Sequence, residues 1–146
     1  MTVIEHDPRH RAGGEGFDWV KHVERDDLFK NADVLSLHVP LADNTRDSIG
    51  AREFALMKSD ALLINASRGG VVNEAALVEA LKSGKLRGAA VDVFTQEPAP
   101  ADHPLLSLPN VLPLPHLGAS TAEAQRRAGI EAAEILLEVL AEVAGK

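Results

Sequence analysis

Ala61-Leu62-Leu63-Ile64-Asn65 runs directly into Ala66-Ser67-Arg68-Gly69-Gly70, and Asn73 then opens a stretch in which Ala76, Leu77, Ala80 and Leu81 recur at helical spacing. A short, continuously apolar run reads as a strand buried on both faces. Two adjacent glycines let the chain turn sharply after it. Asn73 can cap a helix through Lys82, and Gly84 stands where a left-handed terminator belongs. The stretch therefore reads strand, loop, helix.

The same alternation extends outward. Thr2-Val3-Ile4 leads into Glu5-His6-Asp7-Pro8, Val34 to Val39 ends at Pro40, Gly88 to Phe94 is a further run, and Val111 to Pro115 is the last. A shorter run spans Trp19 to Val23. Arg52 to Met57 reads as a short helix. Near the C-terminus, Ser120-Thr121-Ala122-Glu123 reads as a capping box with Ser120 at the cap. Ile130, Ala133, Leu137, Leu140 and Ala144 then form an apolar stripe, and Glu131, Glu134, Glu138 and Glu142 read as a solvated face. The glycine-rich stretch Ala12 to Gly16 reads as a surface turn, because a phosphate-binding fingerprint needs G-x-G-x-x-G between a strand and a helix.

Strands alternating with helices predict a parallel sheet, an open α/β domain. Ligands of such domains bind beyond the carboxyl ends of the strands. That rule gathers Asp7, His38-Val39-Pro40, Asn65 to Arg68, Asp92 and His116 on one edge.

Composition narrows the function classes. The 146 residues carry a formal charge of -7, which disfavours a nucleic-acid partner. No apolar run is long enough for a membrane helix, and charged residues interrupt the first few positions, so neither a membrane span nor a secretory leader is expected. Cysteine is absent. Disulfides and thiolate metal sites are thereby excluded, in keeping with a reducing cytoplasm. His6 and His10 are separated by Pro8 and have no third ligand, so no metal site is expected. His22 and His103 read as surface or loop residues.

Each polar residue on the edge has a functional and a structural reading. Arg68 can bind a carboxylate through two parallel hydrogen bonds, or be a surface arginine in a loop. Asp7 can accept both hydroxyls of an adenosine ribose, or simply begin a turn before Pro8. His116, held between Pro115 and Gly118, is a natural proton donor near neutral pH, and Glu97 is a candidate acid to pair with it; a lone histidine is more often structural. Asp92 lies inside an apolar strand, where an ionised carboxylate is costly without a partner.

The order of these residues resembles that of the NAD-dependent D-isomer-specific 2-hydroxyacid dehydrogenases. The resemblance rests on Asn65 to Glu74, Gly88 to Pro98, Pro115 to Thr121 and His38-Val39-Pro40-Leu41. Gly118 to Gln125 looks most like the phosphoglycerate dehydrogenase branch. The resemblance implies NAD as cofactor and hydride transfer with a small 2-hydroxy or 2-oxo acid such as 3-phosphoglycerate. It implies catalytic roles for Arg68 (substrate carboxylate), His116 (proton) and Glu97 (support of His116). Asp7, Val39, Ala66, Ser67, Arg68, Asp92, His116, Leu117, Gly118 and Ala119 would contact the cofactor.

The implied fold is a truncated Rossmann-like domain, a mostly parallel sheet with helices on both faces. Residues 1–146 would form a partial NAD-binding domain, with the first βα unit, its glycine-rich loop and the substrate-binding domain missing. Such a sheet would have a gap between the strand ending near Asp7 and the strand Val34–Val39. The two could close on one another, the N-terminal segment could be displaced and disordered, or a second chain could cover the gap. Association into a homo-oligomer is the expected outcome. Loss of the loop also predicts weak NAD binding and little turnover by these residues alone, or a non-catalytic structural or interaction module.

Overall fold

The computed structural model describes residues 1–8, 19–118 and 120–144. The Ala12–Gly16 turn, His10 and Ala119 lie outside the described residues. The chain divides into two compact units, Met1–Pro115 and His116–Lys146.

The first unit holds two parallel sheets. β1 (Val3–Glu5) pairs with β2 (Val20–His22). β3 (Val34–Leu37), β4 (Leu62–Asn65), β5 (Gly88–Val91) and β6 (Val111–Pro113) pair in chain order. Between them come α1 (Arg25–Asn31), α2 (Ala51–Leu56), α3 (Glu74–Lys82) and a 3-10 turn, Pro104–Ser107. These are the parallel strands and helices that the alternation predicts, in the arrangement that the resemblance implies. The difference is that the sheet is in two pieces. β1 is formed and bonds β2, so it is neither displaced nor closed onto β3.

Register explains the core. Leu35, Leu63 and Ala89 align across three strands, as do Leu37, Asn65 and Val91. Side chains alternate along a strand, so all six share a face. They are buried, and the aliphatic ones cluster with Phe29 of α1, Phe54 of α2 and Leu77, Val78 and Leu81 of α3. The opposite face carries Val34, Ser36, Leu62, Ile64, Ala90 and Leu112, which are half-exposed or exposed.

Local chemistry sets the helix ends. Asn73 Oδ1 accepts from Ala76 N at 2.9 Å, the expected cap of α3. Gly84, past its end, has φ of 71°. α1 has no side-chain cap and spans only seven residues, too few for apolar periodicity to reveal it in sequence. It is tied to α2 through Glu53, whose carboxylate accepts from Arg25 Nη1 at 3.0 Å, Arg52 Nη1 at 3.2 Å and Gly50 N at 3.0 Å. Burial pushes the Glu53 carboxyl up, but these donors outweigh it and hold it below its ordinary value.

The second unit contains α4 (Ala122–Ala144). Its cap is Thr121, whose Oγ1 accepts from Ala124 N at 3.1 Å, not the expected Ser120. Ser120 Oγ instead donates to the His116 carbonyl at 3.3 Å, which leaves the next hydroxyl to begin the helix. Ile130, Leu137 and Leu140 of the predicted stripe are exposed.

Candidate functional site

The turn after β4 is built by its last residue. Asn65 is buried, and its Oδ1 accepts from both Ser67 N at 3.2 Å and Ser67 Oγ at 2.8 Å. This side-chain turn draws Ser67 inward and leaves Ala66 and Arg68 exposed on either side. Arg68 Nη1 donates to the Ser67 carbonyl at 2.6 Å, which fixes the start of the guanidinium's path. Gly69 follows because nothing larger fits: a Cβ there would lie 1.9 Å from the Phe94 carbonyl oxygen.

The end of β3 forms the facing wall. His38, Val39, Pro40, Ala66, Ser67 and Arg68 line one cleft of about 340 Å3. Four of the expected site residues, Val39, Ala66, Ser67 and Arg68, are thus brought together at the carboxyl edge. Ser36 Oγ lies 2.8 Å from His38 Nε2, holding that imidazole at the strand end.

β5 contributes next. Asp92 is 5% exposed, and its N–H donates to the Asn65 carbonyl at 2.9 Å, so β4 and β5 stay paired to the point where the chain leaves the sheet. The chain then passes buried Val93 and Phe94 to an exposed loop. Glu97, on that loop, accepts from Phe94 N through Oε1 at 3.0 Å.

The remaining expected residues are not among those that line this cleft. Asp7 is exposed just past β1, on the two-stranded sheet. His116 opens the second unit, exposed and with φ of 58°, a left-handed backbone that is uncommon outside glycine. Leu117 and Gly118 are exposed beside it, and the Leu117 carbonyl accepts from Ser120 N at 3.0 Å.

Sequence reasoning missed three supporting residues: Asn65 as a side-chain acceptor, and the pair Glu74 and His103. Glu74 Oε2 lies 3.1 Å from His103 Nε2, and Glu74 Oε1 accepts from Thr95 N at 2.7 Å. Of the two readings, surface or loop, His103 takes the second: it ends the loop before the 3-10 turn, with its side chain 15% exposed. The one available signal was the His103-Pro104 step, in which a side-chain acceptor precedes a proline at a helix start.

The edge of the sheet now presents an arginine over a half-apolar cleft, next to a buried carboxylate strand end. Residues 1–118 match the family model described as D-isomer specific 2-hydroxyacid dehydrogenase, NAD binding domain. The chain belongs to this family. It is 48% identical over 143 residues to the D-3-phosphoglycerate dehydrogenase of Methanocaldococcus jannaschii, a match covering 96% of this chain and 27% of that protein. It is 47% identical over 143 residues to the hydroxypyruvate reductase of Thermotoga maritima, covering 96% and 45%. It superposes with a TM-score of 0.81 and 34% identity on the NAD-dependent formate dehydrogenase of Staphylococcus aureus solved in complex with NAD, covering 95% of this chain and 41% of that one. The chain therefore spans less than half the length of these relatives.

NAD is the cofactor of this family domain, and the cleft fits it. Val39 and Pro40 give a wall suited to a flat ring, and the Ala66–Arg68 turn gives a polar and cationic one. Among the described residues no helix is long and apolar enough to cross a membrane.

Proposed function

We propose that these residues form the reacting end of an NAD-dependent oxidoreductase acting on small 2-hydroxy or 2-oxo acids, of which 3-phosphoglycerate and its oxidised form are the leading pair. The observation that carries this is Arg68 at the mouth of the β3–β4 cleft, on a turn fixed by Asn65 and Ser67. When bound, NAD supplies the hydride acceptor or donor.

Arg68 holds the substrate carboxylate and polarises the neighbouring carbonyl. Val39, Ala66 and Ser67 shape the cleft wall that keeps the ring in place. Asp92, Leu117, Gly118 and Ala119 complete the cofactor's surroundings, and Asp7 accepts the ribose hydroxyls, favouring NAD over its 2′-phosphorylated form. His116 gives a proton to the carbonyl oxygen during reduction and removes it during oxidation, with Glu97 as its supporting acid. The left-handed backbone of His116 supports a functional role, because such strain persists where a side chain must be aimed.

These 146 residues contain no G-x-G-x-x-G, so their affinity for NAD is weak and their turnover slow. The test is therefore stoichiometric. Excess protein is mixed with NADH and with glyoxylate, hydroxypyruvate or phosphohydroxypyruvate, and NADH absorbance is followed. Slow, oxo-acid-dependent loss of NADH that disappears in Arg68→Ala and in His116→Ala is expected. Folded protein that binds NADH but leaves it unconsumed would overturn the catalytic reading. It would favour the second one, a non-catalytic interaction module that associates with itself, which the split between the β1–β2 and β3–β6 sheets supports.

A further inference from the structure

We propose that Glu74 and His103 are positioning residues for Glu97: one carboxylate clamps both ends of the loop on which Glu97 stands. The catalytic meaning of this clamp rests on the role given to Glu97 above; its geometry does not.

Glu74 is the first residue of α3, on the far side of the β4–α3 turn from Arg68. Its Oε1 accepts from Thr95 N at 2.7 Å, where the loop leaves the sheet. Its Oε2 lies 3.1 Å from His103 Nε2, where the loop ends against the 3-10 turn. His103 is itself fixed, since Nδ1 accepts from Leu105 N at 3.3 Å. A neutral imidazole that accepts at Nδ1 carries its proton at Nε2, so it donates to Glu74. The His103 ring also meets the Phe94 ring edge-on, with centroids 5.3 Å apart. Hydrogen bonds to an ionised carboxylate are shorter and stronger than neutral ones, and both partners here are largely shielded from water.

Phe94 transmits this to the site. Its N–H donates to Glu97 Oε1 at 3.0 Å. Its carbonyl is the group against which Gly69, the neighbour of Arg68, is closely packed. The Phe94 backbone thus stands between the Arg68 turn and the Glu97 carboxylate and sets their separation. Glu74 holds the adjoining Thr95 amide, so the clamp fixes Phe94 in turn. Asn73 caps α3 independently, so the clamp is not needed to start that helix.

The test is solution NMR on the 146-residue chain without substrate. In Glu74→Ala, exchange of the Thr95 amide accelerates about tenfold or more, the loss expected for one charge-assisted bond. The Phe94 amide and the Glu97 carboxyl resonance shift with it, while the Ala76 and Leu63 amides do not. His103→Gln, which keeps a donor toward Glu74, stays near wild type, whereas His103→Ala moves the same resonances as Glu74→Ala. Gly69→Ala pushes on Phe94 from the opposite side and moves both the Arg68 and Glu97 signals.

Faster Thr95 exchange with Phe94 and Glu97 unmoved would overturn the proposal and leave a staple without a positioning role. Should Glu74→Ala fail to fold, Glu74→Gln retains one acceptor and tests the His103 arm alone. It then shifts Phe94 and Glu97 as His103→Ala does, and their constancy counts against the clamp. A clamp confirmed by these shifts in a protein that never consumes NADH would sink the catalytic reading alone.

Discussion

The two sheets of the first unit are built to different standards. In the β3–β6 sheet, Leu35, Leu63, Ala89 and Val111 align across four strands under a layer of helices, and Leu63 is 0% exposed. In the β1–β2 sheet, two three-residue strands are half-buried at best, and Lys21 and His22 are exposed. Its polar support among the described residues includes His6 Nδ1 at 3.1 Å from the Val23 carbonyl and a 3.9 Å pairing of Glu5 with His22. A two-stranded sheet is marginal in water, whereas three or more strands packed on helices are not. The cleft with Arg68 therefore sits on the rigid sheet and Asp7 on the soft one. On the function proposed above, reaction geometry would rest on the first and cofactor affinity partly on the second.

The largest expected effect comes from cutting into the better-packed sheet. Leu63→Ala removes a fully buried side chain and should cost about 2–5 kcal/mol in urea unfolding. Ile4→Ala in β1 should cost within about 1 kcal/mol. Equal losses would erase the contrast between the sheets.

Next comes Glu53→Gln, which removes the charge and one of the two acceptor oxygens that tie α1 to α2 and should cost about 1–3 kcal/mol near neutral pH. The acid limb carries the sign. Glu53 is held below its ordinary value in the folded chain, so its stabilisation is complete above the unfolded value of about 4.3 and is lost as pH falls through the lower folded value. Glu53→Gln should therefore flatten the acid limb of a stability–pH profile. A variant as steep as the parent would show that other carboxylates set it.

Hydrogen exchange sharpens the comparison without mutation. Amides of Leu63 and Ala89 should exchange near the rate set by global unfolding, and those of β1 and β2 orders of magnitude faster, through local opening. Saturating NAD should slow the β1–β2 amides selectively. Unchanged rates there would separate Asp7 from cofactor binding.

The smallest effect on stability belongs to Asp7→Ala. Asp7 is exposed, so the melting midpoint should not move. The ratio of NAD to NADP affinity should fall about tenfold or more with the loss of a charge-assisted acceptor. A ratio left unchanged would remove Asp7 from the site.

Of the five apolar runs, four became strands of the larger sheet and Thr2-Val3-Ile4 became a strand of the smaller one. A continuous apolar run is recognised from its own composition, but the expected burial on both faces is not what the structure shows: one face of β3–β6 is half-exposed or exposed. Asn73 and Gly84 were equally legible, because capping and left-handed termination are local. Thr121 was misread for Ser120 because the choice turns on a carbonyl, that of His116, which only the folded turn brings within reach. The Arg68 position was visible in the sequence as a cation after a buried strand. That Val39 and Pro40 face it across a cleft was not, since β3 and β4 meet through pairing between residues far apart in the chain.

Composition and local spacing by themselves determined the fold class, parallel strands alternating with helices and polar residues at the strand ends; the motifs Asn65 to Glu74, Gly88 to Pro98 and Pro115 to Thr121 added the resemblance to a 2-hydroxyacid dehydrogenase cofactor domain. Tertiary structure alone decided that the strands divide into two sheets, that Asn65 turns inward to hold Ser67, and that Glu74 reaches Thr95 and His103 together. The physical reason is range. Burial patterns and caps are fixed by neighbours in sequence, whereas a carboxylate's partners are fixed by whichever backbone packing leaves within about 3 Å of it.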